Sequence, residues 1–168
     1  MSQSVEQHKS GPAEAIGICV VTISDSRTIE TDRGGSLVSE LAREEHQILR
    51  REIIPDEPQA ITDLLQECEQ SPEIQAVLMT GGTGISNRDQ TYETVSSLFT
   101  REIPGYGELF RYLSFAEIGS ATILSRTTAG LINQLVVLTM PGSPAAVKLA
   151  MEKIILPELR HLVREATK

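Results

Sequence analysis

The sequence A-V-L-M-T-G-G-T-G-I-S-N-R-D-Q-T, residues 76–91, joins a short apolar run to a loop with three glycines and then to a polar turn. Ala76–Met79 predicts a buried strand, because short runs of apolar residues are typical of the inner strands of a sheet. A strand that leads through a polar loop into a helix is the repeating unit of parallel α/β sheets. This stretch therefore indicates an α/β fold with a glycine loop at the end of one strand.

The same alternation of strand and helix extends in both directions along the chain. Apolar runs predict further strands at Ile16–Ile23, Ile48–Ile54 and Leu135–Met140, and apolar residues recur at helical spacing between them. No break in composition separates these units. The pattern predicts a mostly parallel sheet with helices on both faces, which is a three-layer α/β/α sandwich.

The ends and one inner segment of the chain have their own signals. Residues 1–14 are polar and aperiodic and predict a disordered N-terminal tail, which leaves residues 15–168 as a single domain. Residues 127–134, T-T-A-G-L-I-N-Q, predict a turn region. Ser143 suits the N-cap of the final helix, with Pro144 as its first residue. Within that helix, Pro157 predicts a kink.

Charge and cysteine content exclude several classes of function. The net charge is −8, so phosphate backbones repel the chain and a nucleic-acid partner is not expected. No apolar run approaches membrane-spanning length, so no membrane partner is expected either. Cys19 and Cys68 are the only cysteines, and their spacing suits neither a metal site nor a redox motif. They predict buried thiols in a cytoplasmic protein.

Four polar loops follow the predicted strands. In parallel α/β sheets, ligands bind where the carboxyl ends of the strands turn into helix N-termini. Helix caps and turns use the same residue types, so any one loop is equally well explained as a connection between elements. The loops are Ser24–Gly35, Pro55–Pro58, Thr80–Thr91 and Pro141–Pro144.

The glycine loop contains more than a turn requires. Its residues are Thr80, Gly81, Gly82, Thr83 and Gly84. Glycines let a ligand approach the backbone closely, and several inward amides with a following helix N-terminus attract an anion. The threonine hydroxyls can also donate to phosphate oxygens. The loop lacks the Gly-Lys-Ser/Thr ending of a P-loop and the G-x-G-x-x-G fingerprint of dinucleotide folds. It predicts an anion cradle of another kind.

Two aspartates in neighbouring loops are candidates for a metal site. Taken singly, Asp56 and Asp89 are each explained as the N-cap of the helix that follows. Together, at adjacent strand ends beside an anion cradle, they predict ligands for Mg²⁺. Asp32 is assigned to a cap or turn. Arginines such as Arg126 are expected to be solvated.

Seven motifs in a fixed order then point to one family. The chain resembles the molybdenum cofactor biosynthesis proteins of the MoaB/MogA type, and its P-G-Y-G-E-L-F-R segment is most similar to the MoaB branch. The matching segments are T-I-S-D-S-R at 22–27, D-R-G-G at 32–35, I-I-P-D-E at 53–57, T-G-G-T-G-I-S-N-R-D at 80–89, P-G-Y-G-E-L-F-R at 104–111, S-R at 125–126 and M-P-G-S-P at 140–144.

The resemblance implies a function and a set of site residues. It implies a molybdopterin-binding α/β fold in which ATP and Mg²⁺ are used to adenylylate molybdopterin, with release of pyrophosphate. The two aspartates important to the family fall on Asp56 and Asp89. The family's phosphate loop falls on Thr80–Gly84. Further substrate-binding candidates are Ser24, Asp25, Pro141, Gly142 and Ser143.

The resemblance also implies partners and leaves one alternative. It implies a homotrimer or homohexamer and, as a further partner, the enzyme of the pathway that inserts molybdate. The alternative is a non-catalytic molybdopterin-binding or scaffold protein of the same pathway. The adenylyltransferase branch commonly has proline after G-G-T-G and a D-V-T-P run, where this chain has Ile85 and D-Q-T-Y at 89–92. Retention of Asp56 and Asp89 favours the enzyme, and these departures favour the scaffold.

Overall fold

The computed structural model describes residues 14–168, so the predicted tail lies outside the described residues except for Glu14. A single six-stranded sheet has the order β2-β1-β3-β6-β5-β4. The first four strands in this order are parallel to one another. β5 pairs antiparallel with β6, and β4 pairs antiparallel with β5. The strands are β1 (Gly17–Ile23), β2 (Gln47–Ile54), β3 (Ala76–Thr80), β4 (Arg101–Glu102), β5 (Ala129–Ile132) and β6 (Leu135–Met140).

Helices cover both faces of this sheet. They are α1 (Arg33–Arg43), α2 (Pro58–Glu69), α3 (Thr91–Leu98), α4 (Pro104–Ile118), α5 (Pro144–Ala150) and α6 (Leu156–Ala166), with a 3₁₀ segment at Gly119–Leu124 and a π-helical segment at Met151–Ile155.

Two apolar clusters show the three layers directly. Successive side chains of a strand point to opposite faces, so Ile18 and Val20 of β1 join one cluster while Cys19 and Val21 join the other. The first cluster packs against α1, α4, α5 and α6, and the second against α2 and α3. The predicted α/β sandwich around a mostly parallel sheet is confirmed. Both cysteines are free and buried, as predicted.

The predicted turn region at 127–134 is wrong for its central residues. Ala129–Ile132 form β5, which pairs antiparallel with both β6 and β4. Only Asn133 and Gln134 make the turn between β5 and β6, and Asn133 has a φ of 53°. Gly130 of this segment is needed for packing, because a methyl group there would overlap the ring of Phe99. Periodicity does not reveal this strand because it has only four residues, and its pairing with β4 joins residues about thirty positions apart.

The final helical region follows the predicted signals at its start. The Ser143 hydroxyl oxygen accepts a hydrogen bond from the Ala146 amide at 3.3 Å, which confirms the N-cap. Near the predicted kink, the helix changes to π-helical bonding over Met151–Ile155, shortly before Pro157. Proline has no N–H to donate to a carbonyl one turn earlier, and a wider turn accommodates that loss. No helix within residues 14–168 combines the length and apolarity needed to cross a bilayer.

Candidate functional site

The four polar loops meet at the carboxyl edge of the parallel strands, as the sequence predicts. The loop after β1 is joined to β2 by a hydrogen bond of 2.9 Å from the Ser24 amide to the Ile54 carbonyl. The loop after β3 is joined to the loop after β6, because the Thr80 hydroxyl donates to the Pro141 carbonyl at 3.1 Å. The Gly81 amide donates to the Met140 carbonyl at 3.0 Å. One continuous surface results.

A cavity of about 690 Å³ opens between the loops after β1, β3 and β6. This volume is within the range of small-molecule sites. Five of the predicted substrate-binding residues line it: Ser24, Thr80, Gly81, Gly142 and Ser143. Arg27 and Arg33 also line it and bring two cationic side chains to the cavity of an acidic protein. Sequence reasoning did not assign Arg33, although it lies in the D-R-G-G motif.

The glycine loop has two different faces. The Thr80 hydroxyl and the Gly81 amide, both predicted to hold an anion, donate to protein carbonyls on the cavity side. The amides of Gly82, Thr83 and Gly84 have no hydrogen-bond partner within the described residues. Gly81 and Gly82 have φ values of 103° and 62°, which favour glycine. A methyl group at Gly82 would overlap the Thr91 hydroxyl and the Asp56 carboxylate.

Asp56 lies under this second face and is only 5 % exposed. Its Oδ1 accepts hydrogen bonds from the Gln90 amide at 3.1 Å and from the Thr91 hydroxyl at 3.4 Å. The explanation of Asp56 as the N-cap of the helix that follows it is wrong, because Glu57 occupies the N-cap of α2. Asp56 contacts the start of α3 instead. Burial raises the pKa of the Asp56 carboxyl, and the negative charge of Asp89 raises it further. The two carboxylates therefore lie within electrostatic reach.

Asp89 does not cap α3 either. Gln90 occupies the N-cap, without a side-chain hydrogen bond. The Asp89 Oδ2 accepts a hydrogen bond of 2.9 Å from the Ser86 amide, within its own loop. The carboxylate also lies against Gly84, where a methyl group would approach Oδ2 to 2.7 Å. Gly82 and Gly84 thus leave room for the two predicted metal-binding aspartates.

Two arginines hold the loops around these aspartates, and sequence reasoning assigned neither. Arg88 donates to both carboxylate oxygens of Asp25 at 2.7 Å and to Glu57 at 2.6 Å, and its proximity lowers the pKa of Asp25. Arg126 donates to the carbonyls of Gly84 and Asp89. Asp25, a predicted substrate-binding residue, is therefore engaged by an arginine and does not line the large cavity. The S-R motif was the available signal for Arg126.

Asp32 is a structural residue, as its assignment to a cap predicted. It is 3 % exposed, caps α1 through the Gly35 amide at 2.8 Å, and accepts from the Thr22 hydroxyl at 2.7 Å. Arg51 donates to the same carboxylate at 3.0 Å. Burial alone would raise the pKa of the Asp32 carboxyl, but the bonds from Gly35, Thr22 and Arg51 outweigh it and lower the pKa.

The two aspartates suit a magnesium ion in particular. Residues 14–168 contain no group of three or more His, Cys, Asp or Glu side chains arranged for a metal ion. Mg²⁺ does not require such a cage, since it usually binds one or two carboxylates together with water and substrate phosphates. Asp56 and Asp89 fit this description, beside three amides that have no hydrogen-bond partner within residues 14–168.

The fold and these motifs agree with what known proteins show. The family described as "Probable molybdopterin binding domain" (MoCF_biosynth) matches residues 19–161. The chain is 48 % identical over 168 residues to molybdenum cofactor biosynthesis protein B of Bacillus subtilis, with 98 % of both chains covered.

Solved structures give the same result. A crystal structure of molybdenum cofactor biosynthesis protein B matches with a TM-score of 0.90 and 45 % identity, covering 94 % of this chain and 99 % of that one. The tungsten cofactor synthesizing protein MoaB from Pyrococcus furiosus matches with a TM-score of 0.84 and 35 % identity, covering 92 % and 99 %.

Proposed function

The chain belongs to the molybdopterin-binding domain family of molybdenum cofactor biosynthesis, and from this premise we propose that it adenylylates molybdopterin. In this reaction the terminal phosphate oxygen of molybdopterin forms a bond to the α-phosphorus of ATP. The bond from that phosphorus to the β-phosphate oxygen breaks, and pyrophosphate leaves. The nucleophile is already an anion, so the site needs no strong base. It needs to position two anions and to offset their charge.

The observation that supports this proposal most strongly is the placement of two aspartates against the glycine loop beside a cavity. The cavity, with Arg27 and Arg33, would hold molybdopterin. The free amides of Gly82–Gly84 would hold a phosphate. Asp56 and Asp89 would hold Mg²⁺, which supplies positive charge at the phosphates of ATP. An acidic protein can therefore bind two anions without a basic surface.

The second candidate function is molybdopterin binding without catalysis. It is favoured by Ile85, which replaces the common proline and is 67 % exposed at the loop. The other departure, Tyr92, packs its ring on the guanidinium of Arg126 at 5.4 Å and supports the loop, which fits either candidate.

One assay separates the two candidates. Purified protein is incubated with molybdopterin, ATP and Mg²⁺, and pyrophosphate and adenylylated molybdopterin are quantified. The enzyme is expected to give the two products in equal amounts, and none when Mg²⁺ is replaced by EDTA. Tight molybdopterin binding without either product would establish the scaffold and reject the enzyme.

We also propose that the protein self-associates through an exposed apolar surface, the α4 stripe. This stripe consists of Leu109, Tyr112, Phe115, Ile118 and, in the 3₁₀ segment, Ile123. Contiguous apolar surface of this kind marks interaction sites. Light scattering is expected to show a trimer or hexamer that Tyr112→Glu dissociates or reduces. A monomeric wild-type protein would reject this assignment. Cytoplasmic location and contact with the molybdate-inserting enzyme are further parts of the proposal.

A further inference from the structure

A single side chain, Arg126, contacts both ends of the loop that carries Asp89. Its Nε donates to the Gly84 carbonyl at 2.6 Å, and its Nη2 donates to the Asp89 carbonyl at 3.0 Å. Its backbone amide donates to the Thr83 carbonyl at 3.2 Å. The guanidinium also pairs with Glu93 and packs on the ring of Tyr92. These contacts span the sequence from Thr83 to Glu93.

Between these two ends, the side chain of Arg88 also anchors the segment by donating to Asp25 and Glu57. Ile85, Ser86, Asn87 and Arg88 are all exposed. Within the loop, the side chain of Asp89 holds only the Ser86 amide. Hydrogen bonds from a charged guanidinium are stronger than bonds between neutral groups, and a planar guanidinium holds two acceptors in a fixed relation. Arg126 therefore restrains the backbone at both ends of this segment, and it is more buried than Arg88, whose ion pairs are open to solvent.

One peptide group links Arg126 to both aspartates. In the peptide group between Asp89 and Gln90, the Asp89 carbonyl accepts a hydrogen bond from Arg126, and the Gln90 N–H donates one to the Asp56 carboxylate. Hydrogen bonds that share a peptide group polarise one another, so the contact with Arg126 strengthens the contact with Asp56. The two carboxylates are thus held in one connected unit, although they come from different loops.

We propose that Arg126 is a positioning residue that holds Asp89 and Asp56 in the arrangement that binds the divalent cation. This inference rests on the proposed function for the identity of the cation, but the order of the loop can be measured without it. Arg126 touches neither substrate nor metal in this role. It acts through the Asp89–Gln90 peptide group and the Gly84 carbonyl.

The variants distinguish geometry from charge. Arg126→Gln removes the charge and the double contact, while Arg126→Lys keeps the charge but cannot donate to two carbonyls from a planar fork. Glu93→Gln is the matched control, because it removes the negative charge on the exposed side of Arg126 and leaves both carbonyl contacts in place. Circular dichroism and thermal melting establish that each variant is folded.

Two measurements are made on the full chain. Amide hydrogen exchange, followed by mass spectrometry, reports on peptides that cover residues 84–91. Electron paramagnetic resonance measures the binding of Mn²⁺ in the presence of a non-hydrolysable ATP analogue. In both Arg126 variants, the amides of residues 84–91 are expected to exchange at least about 10-fold faster than in the wild type. Mn²⁺ is expected to bind about 10-fold more weakly, which is the usual loss when a residue that supports a metal ligand is removed. Glu93→Gln is expected to stay within about twofold of the wild type.

The outcomes separate this inference from the proposed function. The positioning role would be overturned if Arg126→Gln kept an amide exchange rate and an Mn²⁺ affinity within twofold of the wild type. It would also be overturned if Arg126→Lys behaved like the wild type. If the wild type released no pyrophosphate, the proposed enzyme activity would be rejected, but the exchange and Mn²⁺ measurements would still test the positioning role. A wild type that binds no Mn²⁺ would overturn the metal-positioning inference, even if pyrophosphate were released.

Discussion

The two faces of the glycine loop are built by different kinds of contact. On the cavity face, Thr80 and Gly81 are held by the carbonyls of Pro141 and Met140, at the end of a central strand. On the aspartate face, the loop is held by side chains, chiefly those of Arg126 and Asp56. The carbonyls at a strand end are in place as long as the sheet is folded, whereas the guanidinium and the carboxylate belong to individual side chains that a substitution removes.

The difference predicts that molybdopterin binding and the proposed adenylylation can be separated by substitution. The cavity needs only the sheet and its loops, so substitutions on the aspartate face are expected to leave molybdopterin binding intact. The charged groups on the aspartate face are the ones that a reaction between two phosphates requires. Four predictions test how the two faces and their supporting residues differ, from the largest expected effect to the smallest.

The largest effect is expected from Asp89→Asn. An Asn side-chain oxygen can still accept from the Ser86 amide, so the loop keeps its contact while the charge is lost. Turnover, measured as pyrophosphate release, is expected to fall about 10²-fold or more, as for other electrostatic contacts to a transition state. Molybdopterin affinity, measured by fluorescence titration, is expected to change less than about twofold. The control is Asp63→Asn on α2, an exposed carboxylate that accepts from Gln59 and does not line the cavity. Full turnover in a folded Asp89→Asn protein would remove this residue from the reaction.

The next effect concerns Gly82→Ala. The added methyl would overlap the Thr91 hydroxyl and the Asp56 carboxylate, at a residue whose φ is already unfavourable for alanine. Strain of both kinds is expected to lower the free energy of unfolding by about 3 kcal/mol in urea denaturation. At Gly142, on the cavity face, a methyl would meet only Gly81, at 3.6 Å or more. Gly142→Ala is therefore the control and is expected to keep wild-type stability. Equal stability of the two variants would contradict the difference in packing.

A smaller effect, dependent on pH, is expected at Asp32 beneath the cavity. Its pKa in the folded protein is lowered from the ordinary 3.8, so its contribution to stability is present above that value and is lost as the pH falls through the folded pKa. Asp32→Asn keeps a cap but loses the ion pair with Arg51, and is expected to cost about 1–2 kcal/mol at pH 7. Its loss of stability between about pH 5 and pH 2 should be shallower than that of the wild type. Denaturant titrations across this range measure both quantities, and parallel curves would contradict the assignment.

The smallest effect is expected from Arg88→Gln. Arg88 pairs with Asp25 and Glu57, but all three side chains are about half exposed, so water screens the pairs. The midpoint of thermal unfolding is expected to move by no more than about 2 °C. Arg126→Gln should move it further, because Arg126 is more buried and bonds to backbone carbonyls. A larger shift for Arg88→Gln than for Arg126→Gln would reverse the ranking of the two arginines.

Local sequence alone determined the main strands, the glycine loop and the caps at Ser143 and Asp32. These features depend on residues within a few positions of one another, such as the bond from Ala146 to Ser143. A pattern of apolar residues or a capping hydroxyl is therefore readable without the fold. The order of motifs added the family, because seven short segments at fixed spacing are far more specific than any one of them.

The tertiary structure alone decided how the site is assembled. It made a strand of Ala129–Ile132, placed Asp56 at the start of α3 across 34 positions, and brought Arg126 to Gly84 across 42. The contacts of Asp56 and Arg126 join residues whose local patterns carry no mark of the partner. From the sequence, the two aspartates are explained as helix caps and Arg126 as a solvated side chain. In the structure they form one connected unit, because parallel strands bring distant loops to the same edge of the sheet.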